Sequence, residues 1–160
     1  WNASNTNAGG WANSELNSSL NTRLYNAMPT QIKSLLKRMA VRSSVGNMSE
    51  DITTSGCYIT IPALIELDSA YSNTSSYSAA YGNEINAVTG VNKTISYLSD
   101  NAARKRAFDG DDYYGYWTRS PNVDYANYIW RIDENGIAQP ITNATGHNSL
   151  PLGVLIEISF

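Results

Sequence analysis

The densest set of side chains that bear on chemistry in this 160-residue chain is Tyr116-Trp117-Thr118-Arg119-Ser120-Pro121. Side chains alternate along a strand, so Trp117 and Arg119, two apart, share a face. An arginine in that position stacks on the indole or grips a buried carbonyl or carboxylate with its planar fork. Ser120-Pro121 then ends the strand, since proline brings no N–H to a ladder. These residues are expected to be framework.

Two other sets look more like machinery. Asp109-Gly110-Asp111-Asp112 gathers three carboxylates, the hard oxygen ligands that calcium prefers, but the closing glutamate of an EF-hand loop is missing. The set reads as a solvated acidic turn, and no metal or other cofactor is expected. His147 is the only histidine and sits in a loop-like sequence, Thr145-Gly146-His147-Asn148. No Gly-x-Ser-x-Gly elbow or glycine-rich phosphate loop accompanies it. The single cysteine, Cys57, is flanked by Gly56 and Tyr58 as a small core residue would be. A catalytic reading would need His147 brought to a carboxylate such as Asp124 or Glu134. Without that, the chain reads as non-enzymatic.

Residue types suited to recognition follow the tryptophan motif: Asn122, Asp124, Tyr125, Asn127, Tyr128 and Trp130, and then Asn143, His147 and Asn148. Tyrosine gives rigid amphipathic area at small entropic cost, and asparagine adapts its hydrogen bonds, as in paratopes. Aromatic faces beside amides also suit sugar rings, whose hydroxyls need donors and acceptors. The competing reading is hairpin decoration, because tyrosine is common in strands.

Composition narrows the partners. A domain usually holds roughly 100 to 200 residues, so residues 1–160 are read as one. The net charge is −3, which excludes the basic face that nucleic acid requires. The basic clusters Lys33–Lys37–Arg38 and Arg104–Lys105–Arg106 read as solvated helix faces. No stretch approaches the roughly 18 apolar residues of a membrane-spanning helix, so no membrane insertion is expected. Charged residues make up 16% of the chain, against about a quarter in a typical soluble domain, and Asn, Ser, Thr and Tyr fill the gap. A surface wetted by neutral groups is common outside the cytoplasm, so an extracellular, cell-surface or virion location is expected. The chain begins at Trp1 and is read as a piece of a longer protein. Sequons such as Asn17-Ser18-Ser19 and Asn143-Ala144-Thr145 are no more than this composition yields by chance.

The elements that must position these residues follow from periodicity. Residues 1–10 read as loop. Ser14 caps a helix with Leu16, Leu20, Leu24 and Tyr25 on one face, and Met28-Pro29 ends it. Thr30 caps a second helix with Ile32, Leu35, Leu36 and Met39 on one face. Val41–Val45 and Tyr58–Ile61 read as strands, residues 46–56 as the loop between them, and the segment from Pro62 as a short helix. Residues 69–94 form a long polar excursion, and Asp100–Phe108 another helix. Strands are expected at Tyr113–Thr118, Asn127–Ile132 and Ile137–Ile141, with a hairpin turn at Asp133-Glu134-Asn135-Gly136. Leu152–Phe160 reads as a central strand buried on both faces. Helices first and a small sheet after them make the class α+β.

The Tyr116-Trp117-Thr118-Arg119-Ser120-Pro121 run resembles the hallmark of a family of uncharacterised prokaryotic and phage domains with an aromatic-Trp-x-Arg-Ser-Pro motif. Gly9-Gly10-Trp11 with Ser14 and Leu16, Met28-Pro29, the Ile59–Pro62 segment, the Asn135-Gly136 hairpin and Gly153-Val154 stand in the family's order. Leu155-Ile156-Glu157 departs from the Arg-Pro-Ala that usually follows Gly-Val. The family is similar to the C-type lectin fold, including variable proteins diversified by retroelements. The resemblance implies two N-terminal helices packed on a small, mostly antiparallel sheet with long irregular loops. It also implies that Trp11, Trp117 and Arg119 stay fixed while loops around 122–131 and 142–149 face a ligand. The Glu-Pro-Asn and Trp-Asn-Asp signatures of calcium-dependent sugar-binding lectins are missing. The expected function is recognition of a cell-surface glycan or protein receptor. The alternative is a structural, assembly or decoration domain of a phage virion or surface fibre, with homo-oligomer contacts.

Overall fold

A computed structural model describes residues 1–67, 84, 95, 98, 100–105, 107–109, 112–113, 115–145 and 156–158. The first ten residues follow a loop, as expected, yet Trp1 and Asn7 within it are buried. Gly9 and Gly10, both at positive φ (84° and 58°), turn the chain into helix α1 (Gly10–Asn13). A Cβ at Gly10 would run into the Ser44 carbonyl, so only glycine permits this approach. Ser14 is extended and caps α2 (Glu15–Ser19): its Oγ accepts from the Asn17 N–H at 3.0 Å. The helical path continues through a π turn at Leu20–Leu24 into α3 (Tyr25–Ala27), and Met28-Pro29 stops it.

The expected second helix is only α4 (Thr30–Lys33). Leu36 and Met39 belong instead to strands β1 (Leu36–Lys37) and β2 (Met39–Gly46), while Ile32 and Leu35 are exposed. The period-two alternation Met39, Val41, Ser43 inward and Ala40 outward overrides the helical spacing. Residues 46–56 are likewise no loop. Strand β3 (Ser49–Cys57) returns antiparallel along β2 through a primed two-residue turn, Asn47-Met48, at φ 54° and 61°.

Tyr58–Ile61 is an irregular segment rather than a strand, with Tyr58 partly buried and the other three residues fully so. The Asn21 side chain, carried on the π turn, takes the place of a neighbouring strand. Its Oδ1 accepts from the N–H groups of Tyr58 (2.8 Å) and Ile59 (3.0 Å), and its Nδ2 donates to the Ile59 carbonyl (2.8 Å). Helix α5 (Leu64–Leu67) is buried throughout, Glu66 included. Helix α6 (Asn101–Arg104), capped by Asp100, is shorter than expected and gives way to β4 (Ala107–Asp109), paired with β5 (Asp112–Tyr113). Arg104 is not part of a solvated face: it is buried and donates to the carbonyls of Gly136 (2.9 Å) and Leu98 (3.1 Å).

Strands β6 (Tyr116–Pro121), β7 (Tyr128–Ile132) and β8 (Ala138–Asn143) form an antiparallel sheet. Pro121 closes β6, opposite Ile129. The turn between β7 and β8 is held by Asp133, whose carboxylate accepts from the N–H groups of Asn135 and Ile137, each at 2.9 Å. Gly136 alone takes positive φ there. This sheet is buried on both faces. Trp117 and Ile129 join Trp11, Leu20, Val41, Ile59 and Ile61 in one apolar cluster. Tyr116, Trp130 and Ile132 join Leu64, Leu67 and Leu98 in another.

At the other end of the chain, β9 (Glu157–Ile158) pairs with β1 in a two-stranded ribbon. Ile156 and Ile158 are 39% and 40% exposed, so the described part of Leu152–Phe160 is a peripheral strand and not a central one. The architecture is α+β, with a few short helices and small antiparallel sheets. Among the described residues no helix is long and apolar enough to cross a membrane.

Candidate functional site

Two constellations stand out, one buried and one exposed. The buried one centres on Arg119, which is fully buried in β6. Its fork meets the Glu66 carboxylate in parallel, Nη1 to Oε2 and Nη2 to Oε1, both at 2.6 Å. The remaining N–H groups donate to the carbonyls of Arg42 (3.1 Å), Ile61 (2.9 Å) and Glu84 (3.2 Å). All five guanidinium N–H groups are therefore satisfied, and none is left for a substrate. Of the two roles open to an arginine here, the structure takes the grip on a buried carboxylate.

Glu84 completes this node and is the one described residue of the polar stretch 69–94, where it is fully buried. Its carboxylate accepts from the Ser44 N–H (2.7 Å) and from the Ser120 hydroxyl. Ser120 Oγ in turn accepts from the Leu64 N–H at 2.9 Å. Burial pushes the Glu84 carboxyl up to about 7, against the opposing pull of Ser120, the Ser44 N–H and Arg119. Burial alone would lower the Arg119 guanidinium, but the facing Glu66 outweighs it and holds the group above its ordinary range. The node ties β2, α5 and β6 into one unit.

The exposed constellation lies on the connection from β6 to β7. Tyr125 is 53% exposed and its ring tilts 43° against Tyr128, with centroids 5.1 Å apart. Asp124 and Asn143 are exposed, and Asn127 is half-buried with its Nδ2 3.2 Å from Asn143 Oδ1. These side chains gather two phenol rings, two amides and a carboxylate at the surface.

Asn7 holds this loop in place. Its buried Nδ2 donates to the carbonyls of Asn122 (3.0 Å), Tyr125 (2.8 Å) and Tyr128 (2.7 Å). Its Oδ1 accepts from the Asn47 N–H at 2.6 Å, which joins the loop to the β2–β3 turn. The backbone adds a bond from the Asn7 N–H to the Ala126 carbonyl at 2.7 Å. One amide thus shapes the aromatic loop from the other end of the chain. Nothing in its polar, asparagine-rich surroundings distinguishes Asn7 by sequence.

The residues expected to face a ligand do not all do so. Asn122 is buried: its Nδ2 donates to the Pro140 carbonyl (2.9 Å) and its Oδ1 accepts from the Asp124 N–H (2.8 Å). Trp130 is buried in the second apolar cluster, because a sheet covered on both faces leaves no outward side for it. Both are framework. Asp124, Tyr125, Asn127, Tyr128 and Asn143 come together at the surface. His147, Asn148, Asp111, Arg106 and Gly153-Val154 lie outside the described residues, as do the side chains of Asp109 and Asp112. Of the framework motif, Trp11, Trp117, Arg119, Ser120 and Pro121 are all buried. Cys57 is buried as well, and burial pushes its thiol up, away from the reactive thiolate. Among the described residues no three His, Cys, Asp or Glu side chains gather closely enough to hold a metal ion.

Residues 1–157 match the family described as a domain of unknown function, DUF6273, and the chain belongs to that family. No curated protein and no solved structure matches it.

Proposed function

We propose that this chain is a ligand-recognition domain of C-type-lectin-like fold that binds a cell-surface glycan or protein receptor without catalysis. The observation that carries this reading is the exposed Tyr125–Tyr128 pair on a loop whose backbone is clamped by the buried Asn7 amide. A ligand surface that is already ordered loses little entropy on binding, and tyrosine adds broad contact for few rotatable bonds. Asp124, Asn127 and Asn143 supply donors and acceptors around the rings. The buried node offers no arginine donor to a reacting group, because all five N–H groups of Arg119 are occupied. The low share of charged residues supports an extracellular, cell-surface or virion setting.

Glycan and receptor-binding screens of the chain beside Tyr125→Ala and Tyr128→Ala test this. Binding by the parent should fall at least about tenfold in each variant, as at aromatic hot spots. Tyr125→Ala should leave the melting temperature within about 2 °C, because that side chain is half exposed. Binding that survives both changes overturns the assignment.

A further inference from the structure

The β2–β3 turn carries a residue that neither its own backbone nor the core explains. Gly46, Asn47 and Met48 stand in succession at positive φ: 67°, 54° and 61°. Glycine and asparagine are the usual occupants of such positions, because a Cβ on a left-handed backbone crowds the following carbonyl. A two-residue turn of this kind most often reads Asn-Gly, yet here the second residue is methionine. Burial does not offset that strain, since Met48 is 65% exposed, the most of any large apolar side chain described. Strained residues gather where a protein makes contact with something else.

The turn is fixed beside the tyrosine loop. Gly46 lies against Asn7, and a Cβ there would meet the Asn7 carbonyl oxygen at 2.0 Å. The N–H of Asn47, next to Met48, donates to Asn7 Oδ1 at 2.6 Å. Nδ2 of the same amide donates to the Tyr125 carbonyl at 2.8 Å. One buried amide therefore spans the gap between the backbone beside Met48 and that of Tyr125. Their side chains, both exposed, stand on two loops anchored to Asn7.

The chemistry of the added residue selects the partner. A glycan presents hydroxyls that call for donors and acceptors, and a thioether is only a weak acceptor. Methionine instead offers a polarizable, adaptable side chain that gains by burial against apolar or aromatic groups. It is enriched, with aromatic residues, at protein–protein interfaces. We propose that Met48 and the Tyr125–Tyr128 pair form one recognition surface, and that its partner is a protein presenting apolar side chains. The inference rests on the recognition reading and narrows it.

The probes are a displayed library of random dodecapeptides panned on the chain and an array of neutral oligosaccharides. Peptides selected on the parent should lose at least about tenfold in affinity on Tyr125→Ala and on Met48→Gly alike. Met48→Gly should at the same time raise the melting temperature by about 2 °C, because glycine relieves the left-handed backbone. A change that weakens binding while it stabilises the fold does not act through the fold. Met48→Leu keeps the apolar bulk and the strain, and should bind within about fivefold of the parent. Peptides that need Tyr125 but bind Met48→Gly as well as the parent overturn this inference and leave the recognition reading standing. Peptides indifferent to Tyr125→Ala and Tyr128→Ala overturn both. Recovery of no peptide, or binding to oligosaccharides only, overturns the protein partner. A melting temperature that falls in Met48→Gly refutes the strain on which the inference stands.

Discussion

Replacing Asn7 with alanine should cost far more than its place in a polar N-terminal loop suggests. The side chain is fully buried; its two Nδ2 hydrogens are shared among three carbonyls, and its Oδ1 accepts one N–H. The carbonyls of Tyr125 and Tyr128 keep a second donor each, the N–H groups of Tyr128 and Asn122. The Asn122 carbonyl and the Asn47 N–H lose the partners that Asn7 supplies. Leaving a buried polar group unsatisfied costs about 1–3 kcal/mol, so the buried Asn122 carbonyl brings the loss to about 2 kcal/mol, water being able to replace Asn7 at the exposed Asn47 turn. For a domain of this size that lowers the melting temperature by about 4–8 °C. Calorimetry of Asn7→Ala beside Asn127→Ala, a half-buried amide at the surface, would measure it, and the control should move by less than about 2 °C. Asn7→Asp sharpens the test, because it keeps the shape and the acceptor for Asn47 but turns an oxygen on three carbonyls. It should destabilise at least as much as alanine, and more as pH rises and the new carboxyl ionises. If Asn7→Ala melts within 2 °C of the parent, or Asn7→Asp is the milder change, the clamp is not what holds the aromatic loop.

The buried ion pair gives a second prediction: Glu66→Leu leaves Arg119 charged and unpaired, and should cost about 3–5 kcal/mol in urea unfolding. Adding Arg119→Met should recover part of that loss, since no charge then remains to be compensated. Glu84 predicts a pH dependence. Its folded-state value of about 7 lies above the ordinary 4.5, so the native state holds the proton more tightly than the unfolded chain does. Its contribution to stability is complete below about pH 4.5 and is lost as pH rises toward and through 7, by about 3 kcal/mol in all. Unfolding free energies of the parent and Glu84→Gln, measured from pH 4.5 to 8, should converge on a flatter profile for the variant. A difference between them that is constant with pH would refute it.

What was legible in the sequence was what short-range chemistry dictates. Ser14 caps a helix, Met28-Pro29 stops it, and Asp133-to-Gly136 turns between two strands. Each depends on neighbours within about four positions. Strand β3 escaped notice because a two-stranded ribbon with a wet outer face shows no apolar alternation: Glu50, Thr54 and Gly56 are exposed. The stretch from Leu35 to Met39 fits a helical stripe as well as a strand, and its pairing with Glu157–Ile158 lies beyond the reach of any local pattern. The candidate site was half visible. Tyrosine and asparagine density pointed to the loop, but alternation could not tell that the sheet is covered on both faces, which takes Trp130 inside. The partners of Arg119 lie 35 to 77 positions away and those of Asn7 lie 40 to 121 away, where spacing carries no information.

Those separations also decide when the molecule can be finished. Asn7 cannot close its hydrogen bonds until Tyr128 has been made, and Trp11 shares a cluster with Ile129 and Ala144. At about 5–20 residues per second, a ribosome leaves the first strand-free segment waiting on the order of ten seconds for its partners. Throughout that interval Trp1, Trp11 and Leu20 have no completed core to enter, so the nascent chain presents an oily, incomplete surface to chaperones. Folding must then proceed by long-range closure, which is slow for any chain whose contacts are this remote.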